Sequence, residues 1–194
     1  MTLTQTDAAA ALKDIATAHE QSRALFVYQM ASPYLLLWGA IWLVGGLIPV
    51  PIPANPSIAW LVLDTVGVLA SIYIGYTNMR RISTTATDNG AAAGRKWAWR
   101  YTATSAVIFL FSFLTIIVFE ARTAQQGMTF AAILTSAIFA SLGIWIGLRY
   151  VVMAAILVTT ALTAHFLHVP YEVPVICFAG GATMMMGGLW MRRA

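Results

Sequence analysis

Five titratable side chains lie within or at the ends of long apolar runs of this chain, where a charge is costly and therefore informative. They are Asp64, Glu120, His165, His168 and Glu172. Carboxylates and imidazoles can exchange protons, and carboxylate oxygens can bind a cation. These residue types therefore predict a proton-coupled or cation-binding site, on condition that the fold brings them to one place.

Asp64 is the strongest single indication of such a site. It lies six residues inside the apolar run 58–78, or about 9 Å from the end of a helix that rises 1.5 Å per residue. An acid at the centre of a membrane helix costs on the order of 2.5–3.5 kcal/mol on insertion scales, so we expect Asp64 to face the bundle or a wet cavity. His165 is its expected partner. The alternative is a structural hydrogen bond to another helix.

His165 and His168 are three residues apart, which places them on one face if the helix continues through both. Together with Glu172, Asp64 or Glu120 they could form a zinc-like site with nitrogen and oxygen ligands. No HExxH motif is present, and Pro170 follows closely. Histidines at the membrane interface, satisfied by water, are therefore favoured over a metal site, and no cofactor is predicted.

The elements that must position these residues are membrane-spanning helices. Hydrophobic residues make up 60% of the 194 positions and charged residues 9%, far from the roughly 25% charged residues of a soluble domain. The apolar runs cover approximately residues 34–49, 58–78, 98–119, 128–148, 150–168 and 173–190. The predicted fold class is all-α, a polytopic bundle of six transmembrane helices.

Basic residues fall in alternate gaps between these runs. The N-terminal segment, the second and fourth gaps and the C-terminal tail hold Lys13, Arg23, Arg80, Arg81, Arg95, Lys96, Arg149, Arg192 and Arg193, with Arg100 just inside the third run. The other gaps hold only Arg122. This asymmetry predicts the cytoplasmic (inner) membrane with both termini cytoplasmic. It also places the five titratable residues in or near the outer third of the bundle. The net charge of +4 is spread over several segments, which argues against a nucleic-acid partner.

The first 32 residues are predicted to form an amphipathic helix on the cytoplasmic face, ahead of a six-span bundle over 33–194. Leu12, Ile15 and Phe26 recur at helical steps. Ser32 and Pro33 then supply a helix start for the first span. The alternative is one long helix over about 8–48, bent at Pro33.

Small residues predict close helix packing. The positions are Gly143, Gly147, Gly180, Gly181, Gly187 and Gly188. Internal packing is the main interpretation, and a homo-oligomer formed through one of these faces is the second. The only break between the fourth and fifth runs, at residues 147–150, predicts a tight hairpin that leaves Arg149 free to reach the lipid headgroups.

No enzyme motif such as GxSxG, a P-loop or GxGxxG is present. The leading functional hypothesis is binding or transport of a small solute or ion through an outward-facing polar cavity lined by the five titratable residues. The rival is a non-enzymatic membrane subunit, regulator or scaffold that acts through a partner or through self-association. A membrane enzyme acting on lipid ranks third.

Overall fold

The computed structural model describes residues 5–48, 56–85, 111, 114–115 and 123–193, and the regular structure in these ranges is all helical. Five helices have defined bounds: α1 (Gln5–Leu47), α2 (Pro56–Thr85), α3 (Ala124–Ile146), α4 (Leu148–Phe166) and α5 (Glu172–Arg192). Each contains a stretch of 19 to 23 residues that is long and apolar enough to cross a membrane. The predicted all-α class is confirmed for these ranges. Of the predicted span 98–119, residues 111, 114 and 115 are described, and they are helical.

The N-terminal region is one helix rather than two. α1 runs without interruption for 43 residues with Pro33 inside it, so the predicted break at Ser32 is wrong and the long-helix alternative is correct in this respect. Proline inside a helix costs about 3 kcal/mol or more. Contacts around it offset that cost, because the Ser32 hydroxyl donates to the Gly188 carbonyl at 2.8 Å and Leu35 packs against Gly188.

α3 and α4 form the tight hairpin that the sequence predicts. A single residue, Gly147, separates them, and its φ of +145° lies in the region that favours glycine. A side chain there would also collide with the Tyr28 hydroxyl, which donates to the Ile146 carbonyl at 3.4 Å. The two helices are in extensive contact along their lengths.

α1 and α5 form the most extensive helix pair and pack antiparallel. A Cβ added at Gly39 would lie 2.8 Å from the Gly181 carbonyl oxygen, and one at Gly46 would lie 2.9 Å from Cys177. The backbones approach this closely only because the facing residues are small. The glycines of α5 are therefore occupied by contacts within the chain, in agreement with the internal-packing interpretation and against their use in self-association.

α2 lies at the edge of the described bundle, packed antiparallel on α1. The Trp38 indole donates to the Ser71 hydroxyl at 3.2 Å, and the Trp60 ring covers Gly45. Within the stretch of α2 that is apolar enough to cross a membrane, 6% of the residues are buried, against 28–44% in the corresponding stretches of the other four helices. The helix directions bring Arg80, Arg149, Arg192 and Arg193 to one end, which we call the basic end.

Candidate functional site

Glu172 is the first residue of α5 and stands where three helices meet, at the end of the bundle opposite the basic end. A carboxylate is favourable in the first turn of a helix because the unpaired backbone N–H groups there carry partial positive charge. The connection from α4 is short and tightly turned, with Tyr171 at φ +61° and His168 at φ +49°. This turn brings Glu172 back beside the end of α4.

One oxygen of Glu172 joins α3, α4 and α5. Thr129 of α3 donates its hydroxyl to Oε1 at 2.8 Å, and Nδ1 of His165 lies 3.2 Å from the same oxygen. The Glu172 side chain is 11% exposed and the His165 side chain 43% exposed. The carboxylate is thus shielded, and the imidazole lies between it and the surroundings. We call these three residues the Glu172 cluster.

The Glu172 cluster can do two kinds of chemistry. A half-exposed imidazole next to a shielded carboxylate can pass a proton between them. If the imidazole rotates away, the carboxylate and the Thr129 hydroxyl offer oxygen ligands to a small cation. The sequence predicted Glu172 and His165, but it gave no signal for Thr129, since a threonine in an apolar helix is common.

His168 does not join His165. Helix α4 ends at Phe166, two residues before His168, and the His168 ring nitrogen Nδ1 lies 3.1 Å from the Phe166 carbonyl oxygen. The predicted shared helical face is therefore wrong, because the chain leaves the helix four residues ahead of Pro170. In the described part of the chain, no three His, Cys, Asp or Glu side chains are placed to hold a metal ion.

Asp64 lies apart from the Glu172 cluster. It sits on α2, whose extensive contact among the described helices is with α1, and the expected partner His165 is engaged by Glu172. The predicted Asp64–His165 pair is therefore wrong. The Asp64 side chain is exposed, and among the residues whose contacts are described, no hydrogen bond or ion pair reaches it. Glu120 lies outside the described residues.

The predicted outward polar cavity is not found around the described candidates. A groove of about 580 Å³ runs along α4 and the start of α5, and its lining is mainly apolar. It is lined by Ala155, Ile156, Thr159, Thr160, Thr163, Ala164, Val169 and Val175. Asp64, His165, His168 and Glu172 are not among them.

Arg149 forms a second polar junction, at the basic end. Its guanidinium donates to the Trp190 carbonyl at 2.9 Å and lies 5.0 Å from the ring centroids of both Tyr28 and Trp190. It therefore ties the hairpin to α1 and α5 through hydrogen bonding and cation–π attraction, where the sequence predicted a side chain extended towards headgroups. Tyr28 and Trp190 carried no sequence signal beyond being aromatic residues near span ends.

The N-terminal segment of α1, residues 5–24, precedes the stretch from Leu25 onward that is apolar enough to cross a membrane. Every side chain described between residues 11 and 18 is exposed. Leu12 and Ile15 are 68% and 65% exposed. These two apolar side chains therefore find no cover in the described chain.

Comparison with protein-family models, with curated proteins and with solved structures found no match for this chain. Functional inference therefore depends on the site geometry alone.

Proposed function

We propose that this chain is a non-catalytic subunit or regulator of a membrane assembly and that it binds its partner through the N-terminal segment of α1. The observation that carries the proposal is the continuity of α1 from Gln5 to Leu47. The 20 residues ahead of the span extend the helix by about 30 Å. A partner bound there would be connected to the centre of the bundle by a rigid helix.

Physical chemistry supports a partner for this segment. Most of the stability of helices in proteins comes from packing of an apolar face rather than from intrinsic helix propensity. Leu12 and Ile15 supply such a face, three residues apart and largely exposed. Just beyond this segment α1 is anchored to the bundle, because the Ser32 hydroxyl bonds to α5 and the Arg149 guanidinium packs on Tyr28.

The proposal includes the topology. We propose six spans with both termini in the cytoplasm, so that the N-terminal segment meets a cytoplasmic partner. The gathering of Arg80, Arg149, Arg192 and Arg193 at one end of the described helices supports this orientation, since Lys and Arg are retained on the cytoplasmic side.

Deletion of residues 2–24 tests the proposal directly. In the native host, the tagged full-length chain should co-purify with a partner in a fixed ratio, and the truncated chain should be recovered folded without it. A double substitution, Leu12→Ser with Ile15→Ser, should have the same effect, while Lys13→Ser should not. A full-length chain that purifies alone would contradict the proposal, as would a partner retained by the truncated chain.

The Glu172 cluster favours a second candidate function, the binding of a small cation at the end opposite the basic end. A shielded carboxylate, a hydroxyl and a half-exposed imidazole converge there from three helices. Sodium, magnesium and tetramethylammonium chlorides are suitable probes at constant ionic strength. One of them should raise the thermal unfolding temperature of the purified chain, and Glu172→Gln should abolish the rise. The control substitution Asp14→Asn, which removes an exposed acid on α1, should leave the rise in unfolding temperature intact. Equal shifts in all three proteins would eliminate the site.

A further inference from the structure

We propose that the basic end holds a binding site for the phosphate of an anionic phospholipid, built around the Arg149 guanidinium. We call it the Arg149 site and define it by Tyr28, Arg149, Trp190, Arg192 and Arg193. The ligand is a lipid and not the protein partner of the N-terminal segment of α1, so the proposal does not depend on that partner. It requires that the helices cross a bilayer, but not that the basic end faces a particular side.

Arg149 is held in place by protein groups and keeps most of its hydrogen-bond donors. Its Nη1 atom donates to the Trp190 carbonyl at 2.9 Å, and the guanidinium carbon lies 5.0 Å from the ring centroids of both Tyr28 and Trp190. A guanidinium has five N–H donors, and within the described hydrogen bonds one of them is used. A guanidinium positioned in this way is suited to a phosphate, whose oxygens can accept two parallel hydrogen bonds from it.

Two further arginines add positive charge beside Arg149. Arg193 is three residues beyond Trp190, with its backbone still near helical values (φ −89°, ψ −1°), so the two side chains lie on one side of the end of α5. Arg192 and Arg193 are both exposed. Among the described ion pairs, none involves any of the three arginines. An anion bound there would relieve the repulsion between these like charges.

The acids on the described helices lie too far away to supply that anion. Asp7, Asp14 and Glu20 precede Tyr28 on α1 by at least eight residues, or about 12 Å along the helix. Asp64 is 16 residues from Arg80 along α2, or about 24 Å from the basic end. Glu172 belongs to the opposite end.

The sequence between α2 and α3 does not cancel the positive charge. Residues 86–122 contain four basic and two acidic side chains, namely Arg95, Lys96, Arg100 and Arg122 against Asp88 and Glu120. Wherever this stretch lies, it brings more positive than negative charge to the chain. The excess positive charge of the basic end therefore calls for a negative partner from outside the chain.

The position of the Arg149 site favours a lipid as that partner. α5 has 21 residues and spans about 30 Å, which matches the hydrocarbon core of a bilayer. Arg192 ends this helix and Arg149 is the second residue of α4, so both lie at the level of the headgroups. Trp190 is 47% exposed, as is common for tryptophan at the membrane interface. Basic pockets between membrane helices at this level suit anionic headgroups, whereas a second copy of this chain would bring like charges.

Native mass spectrometry of the purified full-length chain in detergent tests the proposal by resolving single bound lipid molecules. Phosphatidylglycerol, which is anionic, and phosphatidylcholine, which is zwitterionic, are added with the same acyl chains. Phosphatidylglycerol should bind at least about tenfold more tightly, because each basic residue near an anionic headgroup contributes about fivefold. Arg149→Gln should remove the preference between the two lipids.

A matched pair of substitutions assigns the preference to the Arg149 site, even if Arg149→Gln fails to fold. Arg193→Gln should weaken phosphatidylglycerol binding by about fivefold. Lys13→Gln, which removes the same charge from an exposed position of the N-terminal segment of α1, should leave it unchanged. Thermal unfolding without lipid verifies that both variants are folded.

Equal binding of the two lipids would overturn the proposal. Equal losses in Arg193→Gln and Lys13→Gln would also overturn it, because the charge of the whole chain would then be responsible and not the Arg149 site. Displacement of phosphatidylglycerol by glycerol phosphate would replace the lipid with a soluble phosphate ligand, and displacement by hexaglutamate would replace it with an acidic protein segment. Retention of the lipid against both competitors is the expected result.

Discussion

One oxygen of the Glu172 carboxylate is within hydrogen-bond distance of both Thr129 and His165, and these contacts should stabilise the fold as well as serve any chemistry. It fastens the turn between α4 and α5 to α3 through the buried Thr129 hydroxyl. Glu172→Ala should leave Thr129 and His165 without their acceptor. We expect the free energy of unfolding to fall by about 1–2 kcal/mol, the usual cost of a stranded buried hydrogen-bonding group.

His168→Ala provides the matched control for that measurement, because the ring is exposed and its hydrogen bond within the described residues is to the neighbouring Phe166 carbonyl. Its free energy of unfolding should stay within about 0.5 kcal/mol of the parent value. If denaturant titrations gave the two variants equal losses, the Glu172 cluster would not be a structural junction.

The contacts of Arg149 require a guanidinium group and not only a positive charge. Its planar guanidinium both stacks on aromatic rings and donates a hydrogen bond, which a lysine ammonium cannot reproduce. Arg149→Lys should therefore lower the free energy of unfolding by about 1 kcal/mol despite the retained charge. Arg193→Lys, at an exposed position beyond α5, is the control. If Arg149→Lys left the free energy of unfolding unchanged, charge alone would matter at this position.

Single residues also show where sequence reasoning stopped. The types and depth of Asp64, His165 and Glu172 could be read from the sequence, but their pairing could not. That pairing depends on the end of α4 at Phe166 and on the left-handed turn at Tyr171. Neither glycine nor asparagine marks this turn, so no local signal indicated that Glu172, rather than Asp64, would reach His165.

At the scale of helices, the glycines of α5 make the fold possible. The Gly181 backbone lies so close to α1 that an added Cβ would be 2.7 Å from the Gly39 carbonyl oxygen. Backbone cannot move aside as a flexible side chain can, so Gly181→Ala should separate the two helices. We expect a loss of about 1–3 kcal/mol in the free energy of unfolding, which is typical of overpacking.

Gly75→Ala on α2 is the comparison for Gly181→Ala. Among the described residues, an added Cβ at Gly75 would meet the Tyr34 hydroxyl alone, at 3.2 Å, so the substitution should be close to neutral. Equal destabilisation by the two alanines would mean that the close α1–α5 approach does not determine the effect, since helix propensity by itself favours alanine over glycine.

The helices themselves were predictable to different degrees. For the five helices with defined bounds, the apolar runs follow from length and the hairpin at Gly147 follows from a local break, and both were confirmed. The continuity of α1 through Pro33 was the less favoured alternative from the sequence, because a proline in isolation indicates a helix start or a kink. Its neighbours Ser32 and Leu35 are held by Gly188 from the other end of the sequence, and such a contact leaves no trace in the local pattern.

At the scale of the whole molecule, the basic end predicts accessibility from opposite sides of the membrane. In a chain whose only native cysteine, Cys177, is replaced by alanine, a membrane-impermeant maleimide should label His168→Cys in intact cells. Lys13→Cys and Arg193→Cys should react only after the membrane is permeabilised. Labelling of one terminus but not the other in intact cells would indicate an odd number of spans and refute the six-span topology.

The proposed role of the N-terminal segment of α1 as a partner-binding helix can be tested by photo-crosslinking in intact native cells. A benzophenone side chain is placed at Leu12, at Ile15 or, as a control at an exposed apolar position of α3, at Ile144, which is 81% exposed. We expect one discrete adduct with the same protein from Leu12 and Ile15 and no such adduct from Ile144. No adduct at Leu12 and Ile15, or the same adduct from all three positions, would contradict it.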